Sequence, residues 1–161
     1  MFKQPFVLVT DRGGHLHNAL KLMEQLQEAP QAIVTTHGPD IDSLRTSFSN
    51  VETVPYLFTW WGKFRWFNPW GAFRHLLKSF RLAKKLKPKT VVSLGASNVV
   101  VFCYLAKWMG AQIIHVECMN QVTTRSITGR MLYPICREVL VQWPELLKAY
   151  GPKARYEGWV L

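Results

Sequence analysis

Short runs of apolar residues alternate along this chain with longer stretches in which apolar residues recur at helical spacing. The short runs predict buried β-strands, and the periodic stretches predict amphipathic helices. The predicted strands cover 6–10, 32–36, 51–54, 91–94, 112–116 and 138–141. The predicted helices cover 15–27, 70–86, 99–109, 126–135 and 144–150. Repeated alternation of strand and helix predicts an α/β fold, a Rossmann-like doubly wound parallel sheet with helices on both faces.

We expect a single domain over residues 1–161, because neither an internal repeat nor a linker interrupts the pattern. The apolar fraction of 48% and the charged fraction of 19% are typical of a globular protein with a buried core. The longest uncharged run, 90–106, is broken by glycine and polar residues, so no transmembrane helix is predicted. The residues before Phe6 are too few for a signal peptide.

The cysteines and histidines do not have the spacing of metal ligands, so we predict no metal site. Each cysteine lies among apolar residues and none belongs to a CxxC pair. Cys103, Cys118 and Cys136 are therefore predicted to be reduced thiols, buried in the core.

Charge is unevenly distributed, since the net charge of +10 is concentrated in the middle of the chain. No Asp or Glu occurs between Glu52 and Glu117, and four of the seven tryptophans fall within one segment of about 57–86. Indole rings favour the boundary between water and lipid, and Lys and Arg favour anionic head groups or phosphates. This aromatic–basic segment therefore predicts contact with a membrane or a nucleic acid. Its predicted membrane-binding residues are Trp60, Trp61, Lys63, Arg65, Trp66, Trp70, Arg74, Lys78, Arg81 and Lys85.

Within this segment, the predicted helix 70–86 has two distinct faces. Four cations recur at positions i, i+4, i+7 and i+11 and form a narrow basic stripe: Arg74, Lys78, Arg81 and Lys85. The apolar residues share another face: Phe73, Leu76, Leu77, Phe80 and Ala83. Two interpretations stay open here. The helix either packs its apolar face on the sheet with a solvated basic face, or belongs to an exposed interfacial patch with the aromatic run before it.

The first candidate for chemistry is the turn at Gly13, Gly14 and His15, which follows the first strand and opens the first helix. In a doubly wound sheet, this junction lies at the carboxyl edge, where ligands bind. Glycines allow close approach of a ligand to the backbone, and a helix N-terminus attracts phosphate. His15 either takes a proton from a substrate hydroxyl as a general base or caps the helix.

Other predicted strands are also followed by polar residues. Ser97 and Asn98 come after strand 91–94, where they either contact a ligand or cap the next helix. Glu117 ends strand 112–116 and is the second candidate catalytic residue at this edge. The start of helix 126–135 is a candidate anion cradle, with Ser126 as a simple N-cap as the alternative. Its residues are Arg125, Ser126, Thr128, Gly129 and Arg130.

Three stretches together carry a resemblance to a known family. They are HVECMNQVTTRSITGRMLYP at 115–134, VLVQWPEL at 139–146 and YEG at 156–158, and the GGH turn also matches. This combination resembles the family of the eukaryotic membrane-anchoring subunit of the dolichol-linked UDP-GlcNAc transferase and its bacterial PssD-like relatives in exopolysaccharide synthesis. Four positions depart from the family pattern. Arg12 and Cys118 stand where the family usually has serine, Gln121 where it has arginine, and Arg137 where it has aspartate.

The resemblance implies that the chain is equivalent to the N-terminal domain of a GT-B glycosyltransferase split into two chains. A complementary C-terminal-half subunit would bind most of the UDP-sugar donor, so no cofactor is expected on this chain alone. This chain would hold a polyprenyl-diphosphate-linked sugar acceptor at the cytoplasmic face of the inner membrane, as a peripheral or monotopic protein. His15 would be the base of an inverting transfer. We expect partner contacts through Gln142, Trp143 and Trp159, the last in an apolar C-terminal tail.

Two other functions stay open at this point. The chain could be a non-catalytic membrane scaffold that recruits and activates its catalytic partner. It could also be a basic nucleic-acid-binding module, but the sequence contains no DNA- or RNA-binding signature, so no nucleic-acid partner is predicted.

Overall fold

The structure is a computed structural model that describes residues 3–26, 28–61 and 64–158. For Asp40, 58–61 and 64–67 it describes the backbone alone. The predictions for Lys63 and Trp159 therefore lie outside the described residues. The same holds for the predictions that concern the side chains of Trp60, Trp61, Arg65 and Trp66.

The predicted strands and helices are all present, with ends that shift by a few residues. The strands are β1 (Phe6–Val9), β2 (Ala32–Thr36), β3 (Val51–Val54), β4 (Phe58–Trp61), β5 (Phe64–Phe67), β6 (Thr90–Ser93), β7 (Gln112–Val116), β8 (Cys136–Leu140) and β9 (Ala154–Arg155). The helices are α1 (Gly14–Gln25), α2 (Asp40–Ser47), α3 (Pro69–Leu86), α4 (Val100–Trp108), α5 (Ile127–Leu132) and α6 (Leu146–Tyr150). Short 3₁₀ turns cover Ser97–Val99 and Gly151–Lys153.

The large sheet has seven strands in the order β3-β2-β1-β6-β7-β8-β9, and every pair in it is parallel. The order reverses direction between β1 and β6, where Val9 pairs with Ser93. In doubly wound sheets, the loops diverge at such a switch point and leave a crevice at the carboxyl ends of the strands. This confirms the predicted α/β, Rossmann-like fold.

Apolar packing covers both faces of this sheet. Alternate residues of β1 point to opposite faces, so Val7 and Val9 lie in one core while Phe6 and Leu8 lie in the other. The first core also contains buried residues of α3, α4, α5 and α6. The second contains residues of α1 and α2. A strand with two buried faces reads as a continuous apolar run, which is why the sequence predicted these strands correctly.

The sequence pattern missed helix α2, the β4–β5 hairpin and strand β9. Helix α2 has few apolar residues, and Ile41 and Leu44 are the ones buried against the sheet. Strands β4 and β5 pair antiparallel as a separate two-stranded sheet, with Phe58 opposite Phe67. Strand β9 is two residues long, which is too short to give a periodic signal.

The face of helix α3 that packs inward is not the one with the large apolar side chains. The buried residues are Gly71, His75, Ser79, Leu82, Ala83 and Leu86. The predicted apolar face is exposed except for Ala83: Phe73 is 50% exposed, Leu76 46%, Leu77 39% and Phe80 37%. Sheet packing of this face was therefore the wrong interpretation. Gly71, Ser79 and Ala83 on the inner face are small, so α3 packs inward through them together with His75 and the two leucines of its last turns.

The buried His75 gives a pH-dependent test of this packing. Its Nδ1 lies 2.5 Å from the carbonyl oxygen of Pro55. Burial lowers the pKa of His75 below its usual 6.5, although the carbonyls of Pro55 and Asn98 oppose the shift. The unfolded chain then binds a proton more readily, so the free energy of unfolding should fall as pH drops below about 6.5. His75→Asn keeps an N–H donor and should flatten this slope in urea titrations.

The exposed His17 on α1 provides the control, because His17→Asn should keep the wild-type slope. Burial and then nearby cations also lower the pKa of His37, so a smaller slope of the same sign should persist in His75→Asn. A slope in His75→Asn that equals the wild-type slope would contradict the buried, neutral state of His75.

Candidate functional site

The loops after β1, β2 and β6 are joined by the carboxylate of Asp11. Its Oδ1 accepts hydrogen bonds from the backbone N–H of Arg12 at 2.9 Å and from the hydroxyl of Thr36. Its Oδ2 accepts a hydrogen bond from Nδ2 of Asn98 at 2.9 Å. Because Thr36 ends β2 and Asn98 follows β6, these bonds hold the glycine turn at the switch point of the sheet.

The half-buried ring of His15 lies against Gly95 and Cys118. A Cβ atom on Gly95 would be 2.9 Å from Nδ1 and Cε1 of His15, so glycine is needed to leave room for the ring. Nδ1 of His15 is 3.5 Å from Sγ of Cys118. Burial, and then the charge of Glu117, raise the pKa of Cys118 to about 11. Cys118 therefore stays a thiol at neutral pH, so it contacts the ring of His15 but is not a nucleophile.

Gly13 and Gly14 leave the N-terminus of α1 open to a ligand. Both are exposed, and a Cβ atom at either position would meet no heavy atom within 4 Å. Gly13 has a φ of +67°, which glycine adopts without strain, and it brings no side chain to cap the helix. Free N–H groups at a helix N-terminus favour phosphate or sugar oxygens. The structure thus places His15 at the carboxyl edge of the sheet, beside two exposed glycines, and ligand contact by these residues stays a prediction.

Glu117, the second candidate catalytic residue, lies in the interior instead of at the open edge. Its side chain is fully buried and accepts hydrogen bonds from Nε2 of His115 at 2.9 Å and from the hydroxyl of Tyr150 at 2.7 Å. The backbone N–H and the hydroxyl of Ser126 each donate to it at 3.1 Å. Burial opposes ionisation, but these donors and the charge of His115 outweigh it and hold the pKa of Glu117 below its usual value. An ionised carboxylate with this many donors fits a structural role.

The predicted anion cradle surrounds this carboxylate. Ser126 is the N-cap of α5, and its hydroxyl accepts a hydrogen bond from the backbone N–H of Gly129 at 2.9 Å. A Cβ atom on Gly129 would lie 1.8 Å from the hydroxyl of Tyr150, so no larger residue fits there. Thr128 is buried and Arg130 is exposed. The carboxylate of Glu117 therefore takes the place that an external anion would need.

The remaining predicted ligand contacts differ in accessibility. The guanidinium of Arg125 lies over the rings of Tyr133 and Tyr150, with its carbon 5.3 Å and 5.4 Å from the two ring centres. Asn98 is buried, and its Oδ1 accepts a hydrogen bond from the backbone N–H of Leu57 at 3.3 Å. Ser97 is half-buried. Ligand contact by Arg125, Ser97 and Asn98 stays a prediction, and Asn98 already uses both side-chain polar atoms inside the protein.

Helix α3 presents an exposed apolar strip, which we define as Trp70, Phe73, Leu76, Leu77 and Phe80. Trp70 is 67% exposed and its ring lies 5.9 Å from that of Phe73. Of the predicted membrane-binding cations on this helix, Arg74 and Arg81 are exposed and Lys78 is half-buried, whereas Lys85 pairs with Glu52 at 2.7 Å. Among the described helices, none has the length and apolar character needed to cross a membrane.

Two predicted partner contacts lie on the segment after β8. Gln142 is 1% exposed, so its side chain belongs to the interior of this chain. Trp143 is half-buried and donates its indole N–H to the carbonyl oxygen of Met119 at 2.6 Å. Partner contact by these residues stays a prediction, and the burial of Gln142 leaves little of its side chain for such a contact.

Sequence reasoning missed three residues that organise the site: Asp11, Cys118 and Tyr150. Asp11 stands directly after the predicted strand 6–10, and that position was a usable signal. Cys118 follows Glu117 at a strand end, but only the fold brings it to His15. Tyr150 ends helix α6, and nothing local indicates that its hydroxyl reaches Glu117.

Solved structures share the fold over most of this chain. MurG from Acinetobacter baumannii matches with a TM-score of 0.72 over 94% of this chain and 44% of its own, at 18% identity. UDP-GlcNAc 2-epimerase from Neisseria meningitidis, bound to UDP-GlcNAc, matches with a TM-score of 0.66 over 96% of this chain and 47% of its own, at 12% identity. The likeness shows the fold alone, and this chain spans less than half of either solved chain.

Sequence relatives are more informative about the family. The UDP-N-acetylglucosamine transferase subunit alg14 of Schizosaccharomyces pombe is 36% identical, over 98% of this chain and 83% of its own length. The ALG14 subunit of Yarrowia lipolytica is 30% identical, over 91% of this chain and 76% of its own length. The family profile described as "Oligosaccharide biosynthesis protein Alg14 like" matches residues 67–160. This chain belongs to the Alg14-like family of oligosaccharide biosynthesis proteins.

Proposed function

We propose that this chain is the acceptor-binding, membrane-associated subunit of a two-chain glycosyltransferase. The complete enzyme would transfer a sugar from a UDP-sugar to a polyprenyl-diphosphate-linked saccharide. The observation that carries this proposal is the position of His15, beside two unobstructed glycines at the switch point of the sheet. The relatives named as UDP-N-acetylglucosamine transferase subunits support the reaction class.

His15 is the general base in this proposal. The acceptor hydroxyl oxygen attacks the anomeric carbon of the UDP-sugar while the bond from that carbon to UDP breaks. The hydroxyl proton passes to His15, and UDP leaves with the bonding electron pair. Nδ1 of His15 faces Cys118, so Nε2 is the nitrogen that receives the proton. Glu117 takes no part in the transfer in this proposal, because its carboxylate is fully buried and already accepts hydrogen bonds from His115 and Tyr150.

The donor site is proposed to lie mostly on a second chain. The fold of this chain corresponds to less than half of the solved chains that it resembles, and one of those is bound to UDP-GlcNAc. Relatives that are named subunits support the existence of such a partner. The open N-terminus of α1 at Gly13 and Gly14 would face the acceptor sugar across the cleft between the two chains.

The apolar strip of α3 is proposed as the surface that contacts the membrane. Its side chains are exposed although they are large and apolar, and exposed cations flank them on the same helix. A strip of this kind with a basic border is typical of a helix that lies in the interface of an anionic bilayer. Exposed Leu76 and Leu77 favour lipid over a nucleic acid, because leucine has no ring on which a base can stack.

Replacing His15 tests the catalytic role against the scaffold role. His15→Ala should lower turnover of the complex with its partner by roughly 10²–10⁴-fold, the usual contribution of a general base. Cys118→Ser should keep most of the activity, because a hydroxyl can also hydrogen-bond Nδ1. His17→Ala, two positions along the same helix, is the control and should leave turnover unchanged. Near-normal turnover of His15→Ala with intact partner binding would favour the non-catalytic scaffold.

Glu117→Gln tests the structural role of the buried carboxylate. The amide brings two N–H groups into a site built from donors, so the free energy of unfolding should fall by about 2–4 kcal/mol. Tyr150→Phe removes one donor and should cost about 1–3 kcal/mol. Urea titrations measure both effects. Lost turnover with unchanged unfolding in Glu117→Gln would instead make Glu117 a catalytic group.

Polar substitution of the apolar strip tests membrane contact. Trp70→Ser, Phe73→Ser and Phe80→Ser, combined in one variant, should lower partitioning onto anionic vesicles by roughly 100-fold or more, because each side chain loses apolar burial. Vesicle sedimentation measures this partitioning. The fold should be kept, since all three side chains are exposed.

A matched control removes similar apolar surface elsewhere. It combines Trp108→Ser, Met109→Ser and Ile127→Ser, which are exposed on other elements. The control should bind vesicles like the wild type. If both variants lose binding equally, the strip of α3 is not the membrane surface.

A further inference from the structure

A groove of about 380 Å³ lies between helix α3 and the loops that follow β2 and β3. Its lining residues are His37, Pro55, Arg74, Leu77, Lys78, Arg81 and Leu82. The volume lies within the range of roughly 300–1,000 Å³ that is typical of ligand pockets. The groove combines cations on one wall with apolar side chains, so it fits a ligand that is anionic at one end and apolar at the other.

The groove carries three cations that have no ion-pair partner in the part of the chain that the structure describes. Among the described residues, no carboxylate pairs with Arg74, Lys78 or Arg81, although Lys85 on the same helix pairs with Glu52. The charge of these cations acts on His37, which lines the same groove. Its Nε2 lies 3.4 Å from the hydroxyl of Thr53. Burial, and then the charges of Lys78, Arg45 and Arg74, lower the pKa of His37. A doubly or triply charged anion would offset this local excess of positive charge.

The groove borders the apolar strip on one side and the loop next to the glycine turn of His15 on the other. Leu77 lines the groove and also belongs to the exposed apolar strip, so an apolar chain that leaves the groove meets the strip. On the other side, His37 is followed by Gly38. The side chain of Arg12 lies directly on Gly38, and Arg12 precedes the glycine turn of His15. Because His37 follows β2 and Pro55 follows β3, the groove lies at the same carboxyl edge of the sheet as His15.

We propose that this groove binds the diphosphate of the lipid-linked acceptor, with the prenyl chain along the apolar strip and the sugar directed to His15. This inference rests on the proposed function and adds a site to it. A diphosphate ester suits the site better than a phosphodiester head group, because it carries more charge for three clustered cations. The helix start at Ser126 is unsuited to the diphosphate, since the carboxylate of Glu117 already occupies it.

The test compares two variants of the full chain that each lose three positive charges. The groove variant combines Arg74→Gln, Lys78→Gln and Arg81→Gln. The control variant combines Lys84→Gln, Lys87→Gln and Lys89→Gln. These exposed cations lie in the last turn of α3 and just after it, and they do not line the groove. Calorimetric titration with farnesyl diphosphate should show at least tenfold weaker binding for the groove variant and less than twofold for the control.

A second arm separates the possible sources of the phosphate. Vesicles of phosphatidylcholine are doped with farnesyl diphosphate or with phosphatidylglycerol to equal surface charge. The wild type should prefer the diphosphate vesicles, and the groove variant should lose this preference while it still binds both through the apolar strip. Inorganic diphosphate should compete, but more weakly than farnesyl diphosphate, because it lacks the chain that contacts Leu77.

Several results would overturn this proposal. Equal weakening of both variants would make α3 a diffuse basic face without a specific site. A preference for phosphatidylglycerol at equal charge would assign the groove to a structural phospholipid, and stronger competition by a single-stranded oligonucleotide would assign it to nucleic acid. The proposed function can fail separately: if His15→Ala keeps full turnover but the groove variant loses farnesyl diphosphate binding, the groove stands without the catalytic role.

Discussion

Parallel pairing of the strands is the constraint on which the rest of this structure depends. Because every strand of the large sheet runs in the same direction, the loops that follow them all emerge at one edge. The reversal of strand order between β1 and β6 then separates the loops on either side and opens the edge to solvent. His15 and its glycine turn are far along the chain from helix α3, which lines the basic groove, and both lie at this edge.

Two carboxylates organise this edge from within. Asp11 joins the ends of β1, β2 and β6 through Thr36 and Asn98. Glu117 joins β7 to α5 and α6 through Ser126 and Tyr150. A carboxylate withdrawn from water is costly unless donors surround it. Glu117 is fully buried and Asp11 is half-buried, and both accept hydrogen bonds from residues of other elements. The edge that carries His15 is therefore held by polar groups whose hydrogen bonds are made within the protein.

Helix α3 shows how packing and function compete for the same side chains. Its inner face combines small residues with His75, Leu82 and Leu86, while the side chains of the apolar strip remain outside. Exposed apolar surface of this kind is unfavourable in water and becomes favourable against lipid. The same helix lines the basic groove. A lipid-linked molecule would therefore contact charged and apolar side chains of one helix.

The sequence by itself determined the fold class, because strands buried on both faces are continuously apolar and the helices between them are periodic. It also indicated the glycine turn with His15, since strand ends in such folds lie at the binding edge. It could not decide the role of Glu117, because donors such as Tyr150 come from distant positions. Nor could it decide which face of α3 is buried: periodicity reports where apolar residues cluster, whereas only tertiary packing determines which cluster contacts the core.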